Sequence, residues 1–457
     1  MRYFDVLYGQ VDLDDIVAEI LDRCWELRRL KHVGMMNFRS ISMLPLTQCS
    51  RLEHAIGTAC LAQRFATANA FDQRRRRTFV AAALLHDISC APFGHSVEWA
   101  LMASGQVNSH EVASLWTLKP KMAAATSGRP LFLDSLPFDP SAFGLDLEYF
   151  EKLQTGSVGH TQIKSDHMDL DNIDSVFRMA HYLGAERATR DHVFALVDNL
   201  RPLPAEHHFG LIHSALPQAI LWHDLRHEVY KAFIYDPEYL SFEAQVFELI
   251  DLLTEIVEDP RELAGVADFP DDVLLWQYFI DDAFTDLRPL LRRLIALQPY
   301  SCLFIGRFEN PSVCKALPSR ELITKLRETF SRTLLKGVDR MDESEIPEGP
   351  LRRWVRALGR DVLDYRRPFH IHLTTDKRKT GRQVLFSVMG VDDALTPLSL
   401  GEDRFYVVAA LMSEVRLSKR ELTILRTNFR GALSSMAGAD VEAVYGGDDE
   451  TQLSLGL

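Results

Sequence analysis

From about Asp12 to Leu335, apolar residues recur mostly at helical spacing. Residues 14–30 place Ile16, Ile20, Trp25 and Leu27 near helical spacing, with acidic residues at the start. Residues 52–68 are rich in Ala and Leu. Phe79 to Leu85 is apolar all round, which predicts a buried helix that runs directly into His86-Asp87. Pro and Gly between about residues 117 and 165 predict an irregular insertion with short helices. Helices are expected again over 171–183, 212–234, 241–257, 271–280 and 285–297.

The pattern then changes. Residues 337–350 are polar, contain two prolines and read as a linker. Beyond them Phe369 to Thr374 alternates apolar and polar, and Gln383 to Met389 follows a basic turn, so the two segments read as a β-hairpin. Residues 405–415 and 418–435 read as helices, and the tail from Gly446 on as frayed.

Composition narrows the class. At 457 residues the chain has room for two or three domains, with 47% apolar and 25% charged residues, an ordinary globular mix. No run approaches the roughly 18 apolar residues that span a bilayer, and Met1 to Asp5 shows no secretory pattern, so a cytoplasmic, membrane-free protein is expected. A net charge of −13 disfavours wholesale nucleic-acid binding while leaving a local basic groove open. The run Arg74 to Arg77 reads most simply as solvated. Six scattered cysteines form no Cys-x-x-Cys pair and are expected as reduced, mostly buried thiols.

Four positions carry candidate chemistry: His54, the adjacent pair His86-Asp87, and Asp171. Imidazole and carboxylate hold divalent Mn, Fe, Co or Zn, or Mg where oxygens dominate. An adjacent His-Asp pair cannot face one way on a regular helix, but at a helix end both can aim at one point. Burying an ionised Asp there is costly unless it is paired or bound to metal.

These residues lie in motifs. Asp5-Val6-Leu7-Tyr8-Gly9-Gln10-Val11-Asp12-Leu13, Leu27 to Gly34, Arg51-Leu52-Glu53-His54-Ala55-Ile56-Gly57, Leu84 to His95, His110-Glu111 and Asp169 to Arg178 occur in that order. Together they resemble the HD-domain metal-dependent phosphohydrolases, in particular the deoxynucleoside triphosphate triphosphohydrolase branch related to the SAM-and-HD-domain protein. The resemblance covers about residues 4–310. It implies a mostly α fold: an HD-domain helical core over 1–336 and, past the linker, a smaller α+β C-terminal domain over 351–457.

The resemblance also implies roles. His54, His86, Asp87 and Asp171 would hold a divalent ion (Mn, Fe, Co, Mg or Zn). Arg51 would touch phosphate, a role that suits a guanidinium one helical turn before a ligand. His95 and His110 would sit beside the scissile phosphate, and Glu111 and Asp174 would fix imidazoles or Arg178. Asp174, Arg178, Ser175 and Met179 fall where the branch contacts substrate. Four positions depart from the branch: Cys90 replaces a histidine, Asn172 a lysine, Ser175 a tyrosine and Met179 an aspartate. The implied reaction takes a dNTP to deoxynucleoside and triphosphate. The departures keep two alternatives open: another nucleotide or phosphoester, such as a nucleoside monophosphate, and a nucleotide-sensing or nucleic-acid-binding protein with weak catalysis. Relatives in the branch also imply a homo-oligomer, dimer or tetramer, with a possible nucleotide activator between subunits. Arg28 matches an arginine of that activating site, while Trp25 and Glu26 do not match its neighbours.

Overall fold

The computed structural model describes residues 1–88, 90–97, 100, 140–157, 159–163, 165, 168–203, 209–257, 271–309, 320–341, 347, 349–358, 369–375, 384–389, 395–400, 406–438 and 440–446. In chain order the helices are α1 (Asp15–Arg23), α2 (Trp25–Arg29), α3 (Leu44–Gln48), α4 (Arg51–Ala68), α5 (Gln73–Leu85), α6 (Leu147–Thr155), α7 (Leu170–Tyr182), α8 (Arg190–Asp198), α9 (Leu216–Ile234), α10 (Pro237–Ile256), α11 (Asp271–Ile280), α12 (Arg288–Ile295), α13 (Arg320–Val338), α14 (Pro350–Leu358) and α15 (Lys419–Ala437). The strands are β1 (Arg2–Asp5), β2 (Gly9–Asp12), β3 (Leu200–Arg201), β4 (Gly210–Ile212), β5 (Ser301–Glu309), β6 (Phe369–Thr375), β7 (Val384–Met389), β8 (Leu395–Leu400), β9 (Tyr406–Ser413) and β10 (Glu442–Tyr445). The protein is thus mostly helical, with a smaller sheet-containing C-terminal region. No helix among the described residues is long and apolar enough to cross a membrane.

The chain forms two compact units. One comprises Met1–Val229, Ile250–Arg288 and Gln383–Glu402; the other comprises Tyr230–Leu249, Pro289–Arg382 and Asp403–Leu457. In the first, the antiparallel hairpin of β1 and β2 precedes a helical core built on α4 and α5. Apolar residues on all sides of α5 make Phe79 to Leu85 fully or almost fully buried. The arginines that open α5 are paired rather than merely solvated. Arg76 lies 2.7 Å from Asp14 and Arg77 3.2 Å from Glu19, tying α5 to α1, while Arg75 lies over the Phe71 ring. A small sheet of order β3-β4-β7-β8 completes this unit, with β4 and β7 parallel.

The second unit is an antiparallel sheet of order β10-β5-β9-β6. Its core joins Leu303, Phe308 and Leu411 of the sheet to Leu326 and Phe330 of α13 and Leu425 and Phe429 of α15. Ser418 caps α15 in a reciprocal box with Glu421. Of residues 337–350, Gly337 and Val338 close α13 and Pro350 opens α14, and Leu334, Val338 and Leu351 pack into this same core.

Two sequence expectations are corrected here. Phe369–Thr375 and Val384–Met389 are not a hairpin, because β6 pairs with β9 and β7 with β8 and β4. Residues 406–413 form a strand, not a helix. This strand is flanked by β5 and β6, and Val407 to Met412 are buried on both faces, so the alternation that marks a strand is missing.

Candidate metal centre

Local structure delivers each ligand type. Ser50 caps α4 by accepting a hydrogen bond from Glu53 N at 3.2 Å. Arg51 therefore opens the helix, and His54 follows three residues later on the same side. α5 stops at Leu85, and the turn after it frees His86 and Asp87 to point together. Asp169 caps α7 by accepting from Asn172 N at 2.6 Å, which puts Asp171 in the first turn.

His54, His86 and Asp87 converge, their ligand atoms all lying within 4.8 Å of one another. Asp171 joins them: its Oδ1 is 3.0 Å from His54 Nε2 and 3.6 Å from His86 Nε2. Asp87 Oδ2 is 3.9 Å and 3.6 Å from the same nitrogens, which are themselves 3.2 Å apart. His54 and His86 are buried, while Asp87 and Asp171 open the cluster to solvent.

The protons decide what this cluster can hold. His86 Nδ1 donates to Ala83 O at 2.8 Å. His54 Nδ1 donates to Asp174 Oδ2 at 2.7 Å. With hydrogen on both Nδ1 atoms, both Nε2 atoms turn to the same point as two carboxylates. Such a set calls for positive charge at its centre, and its 3.0–3.9 Å spacings bracket those of a coordination shell. Ligands about 2.1 Å from an ion stand about 3.0–3.4 Å apart in octahedral or tetrahedral geometry. The residues present therefore fit a divalent ion.

The electrostatics show the same demand for positive charge. Burial pulls the His54 pKa down, but hydrogen bonds to Asp171 and Asp174 outweigh it and raise it to about 9, so a proton on Nε2 is what a bound ion would displace. Burial pushes the Asp87 and Asp171 carboxyls up, yet the imidazoles, and for Asp87 also Arg51, hold them well below the usual carboxylate range. Asp174 is likewise held at about 2, against its burial, by Arg178 and His54.

Behind His54 lies an ionic layer that is fully buried at Asp174, Arg178 and Tyr8. Arg178 Nε and Nη2 fork onto Asp174, both at 2.9 Å. Arg178 Nη1 reaches Glu53 Oε1 and Asp5 Oδ2, each at 3.0 Å. Tyr8 donates to Asp174 Oδ1 at 2.6 Å, and Tyr182 donates to Glu53. Gly57 admits this layer, since a Cβ there would lie 2.2 Å from both Arg178 Nη2 and Asp174 Oδ1. Asp174 and Arg178 were expected among substrate contacts. Both are 0% exposed and their polar atoms face His54, Tyr8, Glu53 and Asp5, so they support His54 instead.

Arg51 Nη1 donates to Asp87 Oδ2 at 2.7 Å and Nη2 to Asn37 Oδ1 at 3.2 Å, so the guanidinium stands at the cluster's edge. His95, half-buried, begins a helix after the left-handed residues Phe93 and Gly94. Ser175 and Met179 are buried on α7, with the Ser175 hydroxyl donating to Asn172 O at 3.2 Å. The Cys90 carbonyl accepts from buried Arg29 at 2.8 Å. His110 and Glu111 lie outside the described residues.

Sequence reasoning gives no role to Tyr8, Asp5, Glu53, Asn37 or Gly57. All but Asn37 fall within the quoted motifs, which are the available signal.

This fold and cluster make a candidate metal-binding site carried on helix ends. Residues 51–122 match the HD domain family, and the chain carries an HD domain there. A metal-dependent phosphohydrolase of Cordyceps militaris is 31% identical over 118 residues, 25% of this chain and 31% of that protein. An uncharacterized protein of Mycoplasma genitalium is 20% identical over 240 residues, 51% of this chain and 54% of that protein. The chain thus spans about half the length of the first curated relatives it matches. The crystal structure of a hypothetical protein from Aquifex aeolicus shares the fold, with a TM-score of 0.59 and 15% identity over 93% of this chain and 100% of that one.

Proposed function

We propose that the protein is a divalent-metal-dependent phosphohydrolase acting on a deoxynucleoside triphosphate, releasing deoxynucleoside and triphosphate. The observation that carries the metal-dependent reading is the convergence of two Nε2 atoms and two carboxylates with both Nδ1 protons committed elsewhere. When bound, the ion supplies Lewis acidity toward a phosphoryl oxygen and lowers the pKa of water. The chain's own residues do the rest. Asp174 fixes the His54 tautomer, Ala83 O fixes that of His86, and Arg51 holds Asp87 while presenting positive charge toward an incoming phosphate. His95 stands next to this edge as a candidate proton donor to the leaving oxygen, with His110 and Glu111 proposed beside it from the sequence motif. The dNTP assignment rests on that motif resemblance, and the phosphohydrolase relative supports the reaction class.

A second reading is hydrolysis of another nucleotide or phosphoester. It is favoured by Asn172, Ser175 and Met179: the lysine, tyrosine and aspartate expected of the dNTP branch are absent, and Ser175 and Met179 are buried. One experiment separates the two. The protein is incubated with each dNTP, NTP and nucleoside monophosphate in Mn²⁺, Co²⁺ or Mg²⁺, and products are resolved by anion exchange. Triphosphate release from a dNTP supports the first reading. Turnover confined to other substrates supports the second, and no turnover of any phosphoester overturns both. A homo-oligomer in the cytoplasm with a nucleotide activator is proposed on the same resemblance. Light scattering with and without added nucleotide tests the assembly.

A further inference from the structure

Asn37 belongs to no motif, yet it touches two of the groups on which the proposed chemistry depends. Its Oδ1 accepts from Arg51 Nη2 and from the His95 backbone N–H, both at 3.2 Å. Both neighbours are donors, so the atom between them must be the carbonyl oxygen of the amide. Arg51 in turn reaches Asp87 through its other terminal nitrogen at 2.7 Å. One side-chain oxygen thereby links the guanidinium at the cluster's edge to the first residue of the His95 helix.

The turn before His95 is shaped to this contact. Gly94 has φ +50°, and a Cβ at that position would lie 2.3 Å from Asn37 Oδ1 and 2.9 Å from Arg51 Nη2. Only glycine allows the approach. Phe93 just before it is also left-handed, with φ +55°, an unfavourable conformation for a residue with a side chain. Its backbone N–H donates to Asp271 Oδ1 at 2.8 Å, and the other oxygen of that buried carboxylate accepts from Gly34 N at 2.9 Å. The loop carrying Asn37 and the turn carrying His95 are therefore stitched together twice, at Asn37 and at Asp271.

We infer that Asn37 is a positioning residue: its amide oxygen sets Arg51 and the His95 turn against each other so that both face one phosphate at the metal cluster. The inference rests on the phosphohydrolase reading for its kinetic consequence, but its geometric content is testable by itself. Among the described residues Asn37 hydrogen-bonds to Arg51 and the His95 backbone and to no ligand of the cluster, so its loss should leave Mn²⁺ binding close to that of the unaltered protein.

The test is a double-mutant cycle read by calorimetry, with inorganic triphosphate as the probe and Mn²⁺-loaded protein throughout. Asn37→Ala should weaken triphosphate binding by about tenfold, the scale of one hydrogen bond to a charged group. In the Arg51→Ala background the same change should cost clearly less, because only the His95 turn is left for Asn37 to hold. Asn37→Asp keeps both acceptor contacts but neutralises Arg51. It should therefore restore kcat on a hydrolysed nucleotide while KM stays raised, whereas Asn37→Ala lowers kcat itself. An equal loss of triphosphate affinity in both backgrounds, no loss at all, or no triphosphate binding by the unaltered protein would overturn the inference. A triphosphate cycle as expected, with no nucleotide turned over, would uphold the role of Asn37 and reject the hydrolase reading alone.

Discussion

His54 Nδ1 and Asp174 Oδ2 are 2.7 Å apart across 120 residues of chain, and this hydrogen bond determines which nitrogen of His54 is left for a metal. Asp174 is in turn held by Arg178 and Tyr8, so the ligand geometry and the buried ionic layer are one structure. The predictions below separate the ligands from their support.

His86→Ala and Asp87→Ala each remove a donor from a shared centre. Metal occupancy after dialysis against Mn²⁺ should fall at least about tenfold in both, since ligand loss acts on affinity first. Far-UV circular dichroism should be unchanged. Full metal stoichiometry in both variants would mean that these residues are not the ligands.

Asp174→Asn keeps the side chain's shape but removes the charge that faces Arg178. Breaking a buried ion pair costs about 3–5 kcal/mol, and urea unfolding should show a loss of that order. The hydrogen bond that orients His54 also weakens, so Mn²⁺ affinity should drop about 10–100-fold. A stability loss with unaltered metal affinity would separate Asp174 from the metal centre.

Gly57→Ala gives an opposite sign to ordinary helix propensity. Ala is favoured over Gly inside a helix by about 1 kcal/mol. Here its Cβ would meet Arg178 and Asp174 at 2.2 Å, and the overpacking should cost about 1–3 kcal/mol. Thermal unfolding should therefore move down, and a rise in Tm would show that the layer yields without cost.

The second unit should be sensitive to pH through His370. This ring stacks on Tyr300 at 3.7 Å and lies 3.1 Å from Glu248 and 3.2 Å from Glu414, while Arg293 pairs with Glu414 at 3.5 Å. Burial lowers the His370 pKa, but the two glutamates outweigh it and raise it above its ordinary value. A raised folded pKa means stabilisation that is complete below the unfolded value of about 6.5 and lost as pH rises through the folded value. Glu248 and Glu414 are both lowered, Glu248 despite its burial and Glu414 chiefly by its hydrogen bond to His370. Their share is present above the unfolded value of about 4.3 and disappears as pH falls through their folded values. Denaturant unfolding at about pH 6 and about pH 8.5 should show the second unit weaker at the higher pH, and His370→Gln should remove most of that difference. An identical slope in both proteins would place the effect elsewhere.

The chemistry was largely legible in the chain because it is local. An apolar run from Phe79 ending on His86-Asp87 announces a buried helix that delivers a pair, and Arg51 and His54 share a helix face by spacing alone. Helices over 271–280 and 212–234 are likewise expected from their periodicity, the second beginning at Leu216 in the structure. What could not be read is long-range. Asn37 and Asp271 act by accepting backbone hydrogens 58 and 178 residues away, and no local pattern encodes a reach of that kind. Asp174 and Arg178 look like an ordinary helix pair until the fold buries them against Tyr8. The strand Tyr406–Ser413 was misread because a strand at the centre of a sheet, covered on both faces, has the same unbroken apolar run as a buried helix.

The stretch that matches the HD domain, residues 51–122, holds His54, His86 and Asp87, with the Ala83 carbonyl and Arg51 that orient the last two, but neither Asp171 nor what orients His54. The carboxylate on His54 comes from residue 174, the phenol behind it from residue 8, and the acid that shares Arg178 from residue 5. A piece cut to that stretch would carry three of the four ligands, with His54 left unaligned. The metal centre therefore draws on the chain at least from the first strand to the end of α7, and grafting or trimming has to keep that span.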